Sequence, residues 1–199
     1  SADEVNLRYP NIMRRVGGYN LDELIKGDNF NLAKLIVGSE GTLVAVTQAK
    51  VKLVSLPKVK GLGVVHFKTL RQSMEAIVEA LNLQPAAIEL VDRMIIERTK
   101  ESPGFSRKMN FVDGDPAAIL LVEFFGETSR DVLSKLEKLK KIMIRSNLSY
   151  NTTILMDPED QANVWEIRKA GLGLLMGVTG DVKPLPFVED TAVAPEKLP

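Results

Sequence analysis

The sequence predicts an α+β fold: a ferredoxin-like, mainly antiparallel sheet covered by helices over residues 57–199, preceded over residues 1–56 by the tail of a different α+β domain. Three observations carry this reading. Between Pro57 and Asp157 strand-like and helix-like patterns alternate with no Gly-rich phosphate loop among them, which favours a mixed or antiparallel sheet. The run Ala117 to Phe125 is apolar on both faces, as a strand central in its sheet must be. Pro57 marks a change of style, from a glycine-rich, polar segment to regular amphipathic elements.

The elements follow in order. Leu7 to Asp28 is polar with a short helical patch at Leu21 to Ile25, after which Leu32 to Val37 and Leu43 to Val54 read as strands. Gly61 to Phe67 is a strand; Leu70, Met74, Ile77, Val78 and Leu81 recur at helical spacing before Pro85 stops them. Ala86 to Val91 is a strand, Met94 to Lys100 a short helix, and Ser102-Pro103-Gly104 a break. Beyond the central strand, Ser129 reads as the N-cap of a long helix with Leu133, Leu136, Leu139, Ile142 and Met143 on its apolar face and the charge run Lys135 to Lys141 facing solvent. Thr152 to Met156 is a strand, and Asp157 caps a last helix with Pro158 in its first turn.

Composition narrows the chemistry. The 199 residues are 45% hydrophobic, enough to bury a core, and 26 basic side chains balance 26 acidic ones, so bulk charge makes no case for nucleic acid or an anionic membrane. No cysteine is present, which excludes disulfides, a thiolate nucleophile and an iron–sulfur cluster held by these residues. His66 is the single histidine and sits in a strand pattern, so a His-based metal centre cannot be completed here and a structural role is expected for it. No apolar run reaches the ~20 residues that span a bilayer, and the N-terminus lacks a charged-then-apolar signal pattern.

Two constellations carry chemistry. In Leu35 to Ala45 two glycines, Gly38 and Gly41, bracket Ser39 and Glu40, with Thr42 and Leu43 following. A bend that tight exposes backbone N–H groups to a close visitor, phosphate or a flavin ring, although on geometry alone such a turn is more often a plain hairpin or bulge. The second constellation lies near the C-terminal end: Trp165 to Gly171, then Asp181-Val182-Lys183-Pro184, then Phe187 to Val193. Arg168 offers a planar pair of donors that suits a carboxylate and Lys183 a compact charge, yet spacing alone is also met by two ordinary surface cations. Glu189 and Asp190 read as acid/base candidates or as a cap and ion-pair partners, and Trp165 as helix packing.

Arg15-Val16-Gly17-Gly18-Tyr19-Asn20-Leu21, then Asn31 to Leu43 with its Gly-Ser-Glu-Gly turn, then Val46-Thr47 and Leu53-Val54 before Pro57, resemble the end of the FAD-binding domain in FAD-linked oxidases of the vanillyl-alcohol oxidase type. Within them the chain is similar to the glycolate oxidase subunit, D-lactate dehydrogenase and D-2-hydroxyglutarate dehydrogenase branch. The resemblance implies a cap domain over residues 57–199, FAD lying along Gly38, Ser39, Glu40, Gly41, Thr42 and Leu43, and Tyr19 and Arg15 reaching the flavin or substrate edge. It also implies that Arg168 and Lys183 hold the carboxylate of a 2-hydroxy acid, since these enzymes carry an arginine on this helix and a lysine fifteen positions on. Leu172 departs from a hydroxyl residue four positions after that arginine, and Val44 from a small residue in the FAD segment.

Gly171 to Gly177 and Phe187 to Val193 look most like long members joined to an iron–sulfur region, which would put any such cluster outside this chain. The first FAD-binding half would precede Ser1 and the histidine segment with the base or metal ligands would follow Pro199, so the piece alone is expected to be inactive and the base is unassigned. A quinone, cytochrome or electron-transfer protein would take the electrons, a homodimer fits, and the location expected is cytoplasmic, with peripheral membrane attachment as the alternative. The rival reading is a non-catalytic flavin-fold subunit that serves assembly. The enzyme reading requires the bend and the two cations to share one cleft.

Overall fold

The computed structural model describes residues 1–13, 18–26, 30–177, 180–182 and 191–199. They divide into two units: one built on Ser1–Val54 with the tail segment ending at Ala194, the other running from Ser55 through the last long helix with Pro195–Pro199.

The first unit holds three short helices, α1 (Ala2–Arg8), α2 (Leu21–Ile25) and α3 (Leu32–Ile36). The strand expected over Leu32 to Val37 is therefore helix. Asn31 caps it, its side chain accepting the Ala33 N–H at 3.0 Å, and Leu32, Leu35 and Ile36 fall one turn apart, a helical spacing as compatible with this short apolar run as a strand is. The strand expected over Leu43 to Val54 is also missing. A ladder needs a neighbour, and no described residue of this unit forms one; Val51, Leu53 and Val54 stay 71%, 84% and 86% exposed.

In the second unit four strands, β1 (Val59–Phe67), β2 (Ala87–Asp92), β3 (Ala118–Gly126) and β4 (Asn151–Leu155), form one antiparallel sheet in the order β2-β3-β1-β4. With α4 (Leu70–Leu81) between β1 and β2 and α6 (Ser129–Arg145) between β3 and β4, this is the split βαβ, ferredoxin-like order expected. Two further helices, α5 (Arg93–Glu101) and α7 (Pro158–Met176), cover the opposite face. Helix starts follow capping chemistry. Thr69 and Gln72 form a capping box on α4, Asp92 caps α5, and Asp157 caps α7 with Pro158 at its first position. The cap of α6 is Thr128, one residue before the Ser129 expected, its hydroxyl accepting the Asp131 N–H at 3.2 Å.

The pleat sorts the core into two layers. Val65, Phe67, Leu120, Val122 and Phe124 meet Ala76 and Ala80 of α4 and Val132, Leu136, Leu139 and Met143 of α6, while Leu62, Val64, Ile119 and Leu121 meet Ile96 of α5 and Val164 and Ile167 of α7. Glycine at two β1 positions lets α6 approach the strand backbone. A Cβ at Gly61 would lie 2.5 Å from a Val132 methyl, and one at Gly63 2.8 Å from a Leu139 methyl. His66, at the far end of β1, is fully buried with Nε2 3.1 Å from the Asp113 amide nitrogen and 3.2 Å from the Phe111 carbonyl, one bond for each tautomer, and burial pushes its pKa down. Gly61→Val is expected to destabilise the fold by about 1–3 kcal/mol through overpacking under α6; urea unfolding should show a lowered midpoint with an unchanged slope.

Candidate functional site

The Gly-Ser-Glu-Gly bend of the first unit is held by its own bonds. The Ser39 N–H donates to the Ile36 carbonyl at 3.0 Å, and both the Thr42 N–H and its hydroxyl donate to the Ser39 carbonyl, at 2.9 and 2.6 Å. Gly38, Glu40 and Gly41 have φ of 85°, 49° and 75°, so the chain passes through the left-handed region three times in four residues. Ser39 is buried beneath the bend and the Asn20 amide donates to the Val37 carbonyl at 2.8 Å. The N–H groups of Glu40 and Gly41 bond to no described residue, which leaves two backbone donors for a ligand.

Tyr19, 39% exposed, joins this bend. Its hydroxyl lies 2.9 Å from Thr42 Oγ1, and because the Thr42 proton is spent on Ser39, the tyrosine is the donor. Its carbonyl in turn accepts from the Tyr9 hydroxyl at 2.5 Å. The structure thus brings Tyr19 and Thr42 together across 23 positions of sequence. Leu43 follows with its side chain 42% exposed.

Arg168 lies in the second unit, on the α7 face that looks onto β2. Its Nε and Nη2 both reach Glu89 Oε2, at 3.0 and 2.9 Å. Both side chains are half exposed, so the pair contributes only about 0–1 kcal/mol to stability. Directly beneath, the apolar shell of Val91, Ile119, Leu121, Val164 and Ile167 encloses a void of about 10 Å³, too small to admit the guanidinium. Lys183, Arg15, Glu189 and Asp190 lie outside the described residues. Leu172 is 62% exposed one turn after Arg168.

One polar residue escaped the sequence reading. Glu123 sits in β3, the strand read as apolar on both faces, and is 9% exposed. Its carboxyl borders a surface groove of about 540 Å³ lined by Lys58, Lys60, Gln161 and Trp165 among others. Burial raises its pKa, against the pull of the Lys60 charge and a hydrogen bond from Trp165. The available signal was a single acid at one position of an otherwise apolar run.

Residues 56–199 match the sequence profile described as FAD linked oxidases, C-terminal domain. The chain belongs to this family. Among curated relatives, a D-2-hydroxyglutarate dehydrogenase of Pseudomonas putida is 30% identical over 99% of the chain and 20% of its own length. The enzyme of that name from Escherichia coli is 24% identical over 96% of the chain and 20% of its own length. A mitochondrial D-lactate dehydrogenase [cytochrome] of Arabidopsis thaliana is 26% identical over 72% of the chain and 24% of its own length. The chain thus spans about a fifth to a quarter of these relatives.

The family's cofactor is FAD, and the bend is chemically suited to it: two backbone donors unbonded among the described residues, a buried hydroxyl residue at the turn and no side chain beyond Cα at Gly38 and Gly41. Among the described residues no cluster of three or more His, Asp or Glu could hold a metal ion, and no helix is long and apolar enough to cross a membrane. For Glu123 the linkage runs as for any carboxyl whose folded pKa is raised: the stability it contributes is complete below the ordinary value of 4.5 and is lost as pH rises through the folded pKa. Glu123→Gln is therefore expected to raise Tm at neutral pH and to flatten the decline of Tm above that value, a change that calorimetry across pH would record.

Proposed function

We propose that the full-length protein oxidises a D-2-hydroxy acid, of the 2-hydroxyglutarate, lactate or glycolate type, to the corresponding 2-oxo acid. Bound FAD would supply the two-electron acceptor for the hydrogen at C2. The observation that carries the reading is the family match over residues 56–199 together with relatives named D-2-hydroxyglutarate and D-lactate dehydrogenases. Those names favour an oxidoreductase over the assembly subunit.

In this reading Arg168 and Lys183 bind the substrate carboxylate, the first through a planar donor pair and the second through charge, so that C2 is oriented before it reacts. Leu172 offers no hydroxyl, which leaves the carboxylate to the two cations. Gly38 to Leu43 line the cofactor, chiefly through the free amides of Glu40 and Gly41, and Tyr19, anchored on Thr42, stiffens that segment. Residues 1–56 then belong to the cofactor domain and residues 57–199 to the cap. No residue of the chain is assigned as the base.

A quinone, a cytochrome or an electron-transfer protein is the acceptor that suits such chemistry, with an iron–sulfur cluster elsewhere in the protein. The proposed setting is the cytoplasm or the membrane periphery, and a homodimer is compatible with it. Arg168→Met in the full-length protein should raise KM for the preferred acid about 10–100-fold, the scale of a lost charge-assisted hydrogen-bond pair. Steady-state kinetics over a panel of D-2-hydroxy acids tests this, and an unchanged KM would sink the assignment.

A further inference from the structure

We propose that Glu89 is a positioning residue that presents Arg168 to the substrate carboxylate; the inference rests on the reading above and adds to it a residue 79 positions away that no local motif marks.

The argument is in the use of the guanidinium's donors. Glu89 Oε2 accepts the Nε–H at 3.0 Å and lies 2.9 Å from Nη2, so it sits along one long edge of the fork. The end of the fork, formed by Nη1 and the outer Nη2–H, engages no acceptor among the described residues. Two parallel donors at that end match the two oxygens of a carboxylate. Inward the guanidinium is blocked, because the packed shell below leaves a void of about 10 Å³, and Glu89 on the edge strand β2 holds it on the outer surface of α7.

Holding the arginine before the acid arrives removes an ordering cost. A free arginine loses rotamer entropy when pinned, and a preformed pair has met part of that cost during folding. The same pairing cancels Arg168's charge locally, so the site recognises a carboxylate by shape and leaves net attraction to a second cation. A bare cation would bind any small anion that reached it; an oriented fork selects one with two oxygens at the right spacing.

The test uses the full-length protein in four forms: unmodified, Glu89→Ala, Glu89→Gln and Arg168→Met. KM and kcat for its best D-2-hydroxy acid are read beside the inhibition constant of oxalate, which has the carboxylates but no C2–H to give. Glu89→Ala is expected to raise both KM and the oxalate constant about tenfold, one lost orienting bond on the charged scale, while kcat and Tm move little. Glu89→Gln, whose amide oxygen can still accept the Nε–H, should recover most of that loss. Unchanged constants in Glu89→Ala would reduce the pair to a surface ion pair, and lowered ones would make Glu89 a competitor of the substrate; either overturns the positioning role. An Arg168→Met that raises KM while Glu89→Ala does not removes only this inference, whereas an Arg168→Met with no effect removes the carboxylate-anchor reading beneath it.

Discussion

The antiparallel pairing of β1 with β3, in register from Val59 opposite Gly126 to Phe67 opposite Ala118, is buried on both faces from Gly61 opposite Phe124 onward, and the other elements of the second unit take their places from it. A pair so deeply buried must satisfy its backbone within the ladder and its side chains against two helical layers. On one side α6 lies so close that β1 carries glycine at positions 61 and 63. That contact fixes the depth of α6. On the other side α7 packs Val164 and Ile167 onto the strands, with Gln161 buried and donating to the Lys60 and Leu155 carbonyls at 3.2 and 3.3 Å while Arg168 stays half exposed.

The two faces consequently differ in chemistry. Toward α4 and α6, the two central strands present glycine and apolar groups alone: Gly61, Gly63, Val65 and Phe67 from β1, Leu120, Val122 and Phe124 from β3. Toward α5 and α7, the same strands present Lys60, His66 and Glu123 among their apolar residues, and β2 adds Glu89. The half-exposed Arg168 pair and the groove beside Glu123 both belong to this face, on a helix that also carries Trp165 and Gln161. An apolar face can only hold the fold together. The mixed face can also meet a ligand, and the substrate-side assignment proposed for this domain falls there.

The second unit was legible because its longer elements carry clear signals: α4 and α6 show apolar spacing, α7 opens on Asp157 and Pro158, and β3 is a long apolar run. The first unit was not, since Leu32 to Ile36 is five residues long and an apolar run of that length fits either period until Asn31 is seen to cap it. Residues 43–54 show the converse failure. Their alternation is real, but a strand is a relation between two segments, and no partner exists among the described residues of that unit. Arg168 could be named from a resemblance, while Glu89 could not, because an ion pair across 79 residues leaves no trace in spacing.

Glu123 shows how such a fold keeps a charge-bearing group in a central strand. The sheet register puts it opposite Leu62 on one side and Ala87 on the other, so neither neighbour supplies a counter-charge within the ladder. Its relief comes from outside the strand pair, from the Trp165 hydrogen bond on α7 and the field of Lys60, whose Nζ rests 5.3 Å from the Phe125 ring centre. Burial still dominates and raises the pKa. A group left with that residual penalty favours any neighbour that brings positive charge or a donor to the groove. The penalty is therefore tied to what fills the groove, whereas an apolar residue at position 123 would remove it altogether.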